Sequence, residues 1–237
     1  MAALSLTVGC VPGGTPAKWA QNWARRHPEV PLTLTAVAAA DAADAVRAGE
    51  VDVALLRLPA ETSGLAVIPL YEETTVVVVP AGHLLSAADE VTAADLDGEP
   101  MLVPLDDVVE WTQAPGVPVG HRPETTEAAI ELVAAGLGLL VVPQSLARLH
   151  HRRDLTYRPI TDAPPCAVAL AVPEGPQHEL VEEFIGIVRG RTPGSSRGQV
   201  PQAPKRSARE KTLARQAARA AAGKVARKPG SDRRGRR

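Results

Sequence analysis

An α/β fold is the class that this sequence predicts, and three observations carry it. Residues 4–58 alternate strand-like and helix-like stretches in the order β-α-β-α-β. The stretch Val51 to Leu58 is mostly apolar, as a strand buried on both faces of a parallel sheet must be. The first 190 residues are rich in Ala, Val and Leu, enough for one large domain or two lobes, while the whole chain has only six aromatic residues. The core should therefore be packed with aliphatic side chains, and an aromatic platform for stacking bases is not expected.

Leu4 to Val8 alternates and reads as a strand, broken by Gly9 to Gly14. Thr15-Pro16 reads as a helix N-cap followed by proline at the first helical position, where its missing N–H costs nothing. Trp19 and Trp23 lie four apart on one face of that helix, and His27-Pro28 ends it. Pro31 to Val37 reads as a strand, and Asp41 to Ala48 as a short helix closed by Gly49. Thr75 to Val79 is a β-branched run ended by Pro80. Ala93 to Leu96 is a short helical piece, Pro100 to Pro104 a strand, and residues 105–123 are rich in turn signals. Thr125 to Ala135 reads as a helix closed by Gly136 and Gly138, and Leu139 to Val142 as a buried strand. A helix through Arg148 follows, then strands over Leu155 to Pro159 and Ala167 to Val172. His178 to Val188 closes the body as a helix with Leu180, Val181, Phe184, Ile185 and Val188 facing inward.

Charge divides the chain sharply. Residues 1–188 hold ten Lys/Arg against 25 Asp/Glu, a balance of −15; residues 189–237 hold 16 Lys/Arg against Glu210 and Asp232, a balance of +14. An acidic body cannot hold nucleic acid by neutralising phosphates, whereas a +14 tail can. The tail has almost nothing apolar to bury, so residues 191–237 are expected to be disordered when free. Its candidate phosphate contacts are Lys205, Arg206, Arg209, Lys211, Arg215, Arg219, Lys224, Arg227, Lys228, Arg233, Arg234, Arg236 and Arg237. Such contacts carry little sequence preference, and a merely solvated tail is the competing reading.

Cys10 and Cys166 are too few for a disulfide framework or a zinc site and read as free thiols in a reducing compartment. The first residues lack a secretory signal, and no apolar run reaches the roughly 18 residues of a membrane span, so a cytoplasmic protein without membrane contact is expected. The six histidines show no HExxH-type spacing and Ser145 lies in no GxSxG, so no catalysis, metal or cofactor is expected. His150-His151 beside Arg152-Arg153 reads as an exposed basic helix end.

Six segments in order resemble the effector-binding domain of LysR-type transcriptional regulators: LSLTVGCVPGG, WARRHPEVPLTL, DAVRAGEVDVALLRLP, GLAVIPLYEETTVVVVPAGHLL, AADLDGEPMLV and ELVAAGLGLLVVPQSLA. The resemblance implies a two-lobed fold like that of type 2 periplasmic binding proteins. Lobe I would comprise residues 1–76 and 165–190, and lobe II residues 81–160, joined by crossover strands at Thr75–Pro80 and about Pro164–Ala169. It also implies a small-molecule effector in the cleft, and a homodimer or a heterodimer with related regulators. Those regulators begin with a winged helix-turn-helix, and here the match starts almost at Met1, so that DNA reader is expected to be missing. A binding module that works without DNA, pairing with full-length regulators, is the competing reading.

Candidate ligand contacts follow from the strand ends. Cys10, Pro12, Gly13, Gly14 and Thr15 lie where open α/β sheets bind ligands, at a helix start that favours anions. Thr125 and Thr126 open a second such helix, and each threonine either caps or touches the ligand. Arg57 either pairs with a ligand carboxylate or forms a salt bridge on the surface or between the lobes. Val103, with Pro104 and Leu105, is expected to supply an apolar wall. The expected effector is a carboxylate or other anion.

Overall fold

A computed structural model describes residues 4–190. The chain divides into two units, residues 1–191 and 192–237, and the expectations for the tail lie outside the described residues.

The first unit is built on two five-stranded sheets. The first sheet begins with β1 (Leu6–Cys10), α1 (Ala17–Arg26), β2 (Leu32–Ala36), α2 (Ala42–Arg47), β3 (Val53–Leu58) and β4 (Leu65–Glu73). The second holds β5 (Thr75–Pro80), β6 (Pro100–Leu102), β7 (Val117–Pro118), α3 (Thr126–Ala134), β8 (Leu139–Pro143), α4 (Gln144–Leu149) and β9 (Leu155–Pro159). The chain then returns to the first sheet with β10 (Cys166–Pro173) and ends the body with α5 (Glu179–Val188). Strand order is β2-β1-β3-β10-β4 in one sheet and β7-β6-β8-β5-β9 in the other. β1 runs parallel to β2 and β3, as β-α-β units require, while β10 pairs antiparallel with β3 and β4.

Several sequence expectations need correction. Thr75–Pro80 is no mere crossover: it is the buried β5, paired with β8 on one side and β9 on the other. The chain crosses between sheets at Thr74 and again over residues 161–165, and Thr75 Oγ1 donates to Pro164 O at 2.6 Å, tying the two crossings together. Gly9 does not break β1. It stays in the strand, paired with Thr35 of β2 and Ala54 of β3, where a Cβ would lie 3.1 Å from Ala54 Cβ, tighter than most side-chain contacts. Thr15 does not cap α1. Pro16 occupies the cap position with helical dihedrals, and its carbonyl accepts from Trp19 N and Ala20 N.

β4 and β7 have no counterpart among the predicted strands. Pro69 interrupts the β4 pattern and is tolerated because β4 is an edge strand, with a register shift opposite Val168 and Ala169. β7 is two residues long within the turn-rich stretch.

The core of the first lobe is aliphatic around β3, as composition predicts, but its outer seam is aromatic. Trp23 on α1 and Phe184 on α5 are fully buried with ring centroids 6.1 Å apart, and Trp19 meets Phe184 edge-on. Trp23 Nε1 donates to Val30 O at 2.8 Å, which satisfies its one polar atom. Phe184→Ala should cost about 3–5 kcal/mol, because it removes the shared partner of both tryptophans. Urea unfolding followed by tryptophan fluorescence measures this loss directly.

Candidate functional site

The two lobes meet at the C-terminal ends of β1 and β3 and at the start of α4. Arg57, the fifth residue of β3, is only 5% exposed. Its Nη1 donates to Glu73 Oε2 at 2.7 Å, and its Nη2 donates to Pro12 O and to Ser145 Oγ, each at 2.9 Å. The Ser145 hydroxyl donates in turn to Glu73 Oε2 at 2.8 Å. Arg57 and Glu73 belong to the first lobe and Ser145 to the second. Arg57 is thus held in a salt bridge, but one that is buried and lies within the first lobe, neither on the surface nor between the lobes; only the Ser145 hydroxyl ties it to the second lobe. The Glu73 side chain is 10% exposed, so both charges are largely withdrawn from water and each is stabilised mainly by the other.

Gly13 makes this approach possible. Its φ is +78°, and a Cβ there would sit 2.6 Å from Ser145 Oγ and 2.9 Å from Arg57 Nη2. The glycine is needed for close approach of the other lobe as much as for its turn.

The clasp stands between two cavities. One, of about 280 Å³, is lined from the first lobe by Pro12, Ala38, Ala39 and Arg57, and from the second by Asp106, Val108, Thr125, Thr126, Glu127, Leu146, Leu149 and His150. The other, of about 540 Å³, is lined by Gly13, Gly14, Thr15, Tyr71, Glu72, Glu73, Thr74, Gln144, Ser145, Arg148 and Leu149. Burial, and then the charge of Glu73, push the Tyr71 phenol up. It is therefore a neutral hydrogen-bonding group at physiological pH.

The predicted contacts divide between these spaces. Pro12, Arg57, Thr125 and Thr126 share the smaller cavity; Gly13, Gly14 and Thr15 line the larger. Thr125 is committed as a cap, accepting from Ala128 N at 3.1 Å, while buried Thr126 donates to Asp106 Oδ1 at 3.0 Å. Val103 lines neither: it belongs to a separate cavity with Met101, Val109 and Trp111, and Val108 supplies the apolar wall. Cys10 lines neither interlobe cavity, its thiol donating to Val8 O within its own strand. Sequence reasoning missed Glu73, Asp106 and the α4 residues. The sequence around Ser145 offers no GxSxG and no sign of its role here, and the one signal for α4 is its position directly after a buried strand.

Burial pushes the thiols of Cys10 and Cys166 up. β3 separates β1 from β10, so the two cysteines stand at least two strand spacings apart, roughly 10 Å, beyond disulfide reach. No group of three or more His, Cys, Asp or Glu placed to hold a metal occurs among the described residues.

Two α/β lobes joined by paired crossings and closing on a lined cleft define a ligand-binding domain of the two-lobed, periplasmic-binding-protein-like class. The chain belongs to the LysR substrate-binding domain family, whose pattern matches residues 3–193. Among relatives, it is 29% identical over 201 residues to the Hca operon transcriptional activator HcaR of Escherichia coli K12, covering 78% of this chain and 67% of HcaR. It is 32% identical over 140 residues to a probable hydrogen peroxide-inducible genes activator of Mycobacterium avium, covering 55% of this chain and 45% of that protein. The chain thus spans between about half and two thirds of the length of these relatives. Among solved structures, the BenM effector-binding domain with its effector benzoate superposes with a TM-score of 0.68 at 20% identity, covering 80% of this chain and 92% of that one. Oxidised OxyR gives 0.66 at 22%, covering 80% and 96%. At these identities the likeness is one of fold. No helix among the described residues is long and apolar enough to cross a membrane.

Two outcomes follow from this geometry. Glu73→Ala should destabilise the domain by about 3–5 kcal/mol by stranding a buried guanidinium, and Ser145→Ala by about 1–2 kcal/mol, while Arg57→Met combined with Glu73→Leu should restore most of the loss. Denaturant midpoints of the four proteins check the order. Because both thiol pKa values are raised, the thiolate fraction at pH 7 is below that of free cysteine. Iodoacetamide should label the folded protein more slowly than free cysteine, with the rate rising only at higher pH.

Proposed function

We propose that this domain is the sensor of a transcriptional regulator and that its effector occupies the 280 Å³ cleft between the lobes. The observation that carries this reading is the lining itself: Pro12, Ala38 and Arg57 from one lobe face Thr126, Val108 and Leu146 from the other, so an occupant touches both. A ligand that binds the closed arrangement more tightly than the open one shifts the balance between them, which is what a sensor requires.

The effector is a small carboxylate or related anion with an apolar body. The start of α3 favours an anion at Thr125 and Thr126, and Ala38, Ala39 and Leu146 accept the body. Arg57 does not add to this attraction while Glu73 neutralises it, and Asp106 and Glu127 in the same lining disfavour a second negative charge. A monoanion is therefore the class that fits; benzoate, the effector named with BenM, is one such molecule.

The reading places the protein in the cytoplasm, as a domain that binds rather than transforms its ligand and that pairs with itself or with a related regulator. The +14 tail adds nonspecific affinity for nucleic acid.

A thermal-shift screen of small carboxylates on the full chain tests the sensor. A true effector at 100 times its Kd adds about 2.7 kcal/mol of stability, and Ala38→Trp, which fills the cleft, should abolish the gain. If no carboxylate stabilises the protein, or if Ala38→Trp responds like the parent, the cleft reading fails. The tail is tested separately by an electrophoretic shift: deletion of residues 193–237 should abolish duplex binding, and a shift that survives the deletion refutes the tail's role.

A further inference from the structure

The larger interlobe cavity, of about 540 Å³, falls within the size range of small-molecule sites. Sheet register fixes what the first lobe presents to it. Tyr71, Val168 and Arg57 form one row across β4, β10 and β3, so Tyr71 stands on the face of the sheet that carries Arg57. Glu73, two residues further along β4, shares that face, while Glu72 points to the opposite one. The charges of Glu73 and Arg57 both act on the Tyr71 phenol, as this arrangement requires. From the second lobe, α4 buries Leu146 and Ala147 in its own core. The opposite face of that helix, formed by Gln144, Ser145, Arg148 and Leu149, lines the cavity.

The clasp leaves several polar groups of this lining unsatisfied. Glu73 Oε2 accepts from Arg57 and Ser145, but Glu73 Oε1 has no partner among the described residues. The fully buried side-chain nitrogen or oxygen that lacks a partner among those residues is His27 Nε2, so Glu73 Oε1 stays open to this space. The hydroxyls of Thr15 and Tyr71 and the side-chain amide of Gln144 have no protein partner either. Arg148 donates through Nε to Tyr157 Oη at 3.2 Å, which leaves both Nη groups free. No carboxylate forms an ion pair with Arg148 among the described residues.

These groups define a ligand chemistry. A hydroxyl or an amide can both donate and accept, and a ligand hydroxyl does the same, whereas an ammonium only donates and a carboxylate only accepts. Three such groups beside a free carboxylate oxygen therefore call for several hydroxyls. Arg57 neutralises Glu73, so the charge left unmet in the lining is that of Arg148, and it suits one carboxylate. We propose that this cavity is a second ligand site, which binds a small polyhydroxylated carboxylate with its charge at Arg148 and its hydroxyls on Glu73 Oε1, Tyr71, Thr15 and Gln144. The site is separate from the smaller cavity and does not depend on the effector reading.

The probes are gluconate and galactonate, titrated into the full chain by isothermal calorimetry at about 150 mM salt, where exposed charges far apart are screened. The matching alditols, sorbitol and galactitol, keep the hydroxyls without the carboxylate; hexanoate keeps the carboxylate without the hydroxyls. At least one sugar acid should bind saturably, about fivefold or more tightly than its alditol and than hexanoate. Tyr71→Phe, which deletes one O–H, and Arg148→Met, which deletes the charge, should each raise its Kd about fivefold or more. Both side chains are exposed and lie outside the clasp, so the fold should persist, and circular dichroism checks this. Ala38→Trp in the smaller cavity should leave the titration unchanged. Failure of both sugar acids to bind overturns the site, as does equal affinity for the alditol or for hexanoate, or indifference to either variant. Loss of binding in Ala38→Trp overturns it too, because the probe would then sit in the smaller cavity.

Discussion

The withdrawal of one ion pair from water organises the meeting of the two lobes. Arg57 and Glu73 are both nearly buried, a state that is costly for each charge alone and tolerable only with complete hydrogen bonding. Their bonds are completed by Pro12 O from the β1 turn and by Ser145 from the other lobe. The second lobe thus supplies a group that the first cannot provide. Two consequences follow: Gly13 must lack a side chain for Ser145 to arrive, and the crossings must hold the lobes in register, which the Thr75–Pro164 bond does.

The clasp also sets the character of the cleft. With the Arg57 charge neutralised by Glu73, the smaller cavity presents a helix start and two carboxylates, not a free cation. Ser145 and Leu146 are adjacent on α4 and serve different spaces, one holding the clasp and the other lining the cleft. A ligand that displaces α4 therefore acts on the hydrogen bonds between the lobes directly. That is a short and physically continuous route from binding to a change in lobe arrangement.

Much of the architecture was legible along the chain. Strand and helix periodicity located all the helices α1 to α5 and every strand but β4 and β7, most plainly where the pattern is unbroken, as in β3, β5, α3 and α5. It failed where a local rule was overridden. β4 has no predicted counterpart because Pro69 interrupts its pattern, and the sheet edge accommodates the proline with a register shift; Gly9 reads as a breaker but stays in β1, paired with Ala54 of β3. Thr15 reads as a cap and is not one, because proline at the cap position satisfies the first turn through its carbonyl.

The sequence by itself determined the α/β class, the order of most elements, the family resemblance and the division into an acidic body and a basic tail. These depend on periodicity, local motifs and charge counts, all written in neighbouring residues. Tertiary structure alone decided that Arg57 pairs with Glu73 and that Val108 and not Val103 lines the smaller cavity. Such contacts join residues far apart in the chain, as Arg57 meets Ser145 across 88 positions. No local pattern encodes which distant partner a buried charge will find, because that choice follows from how whole sheets pack.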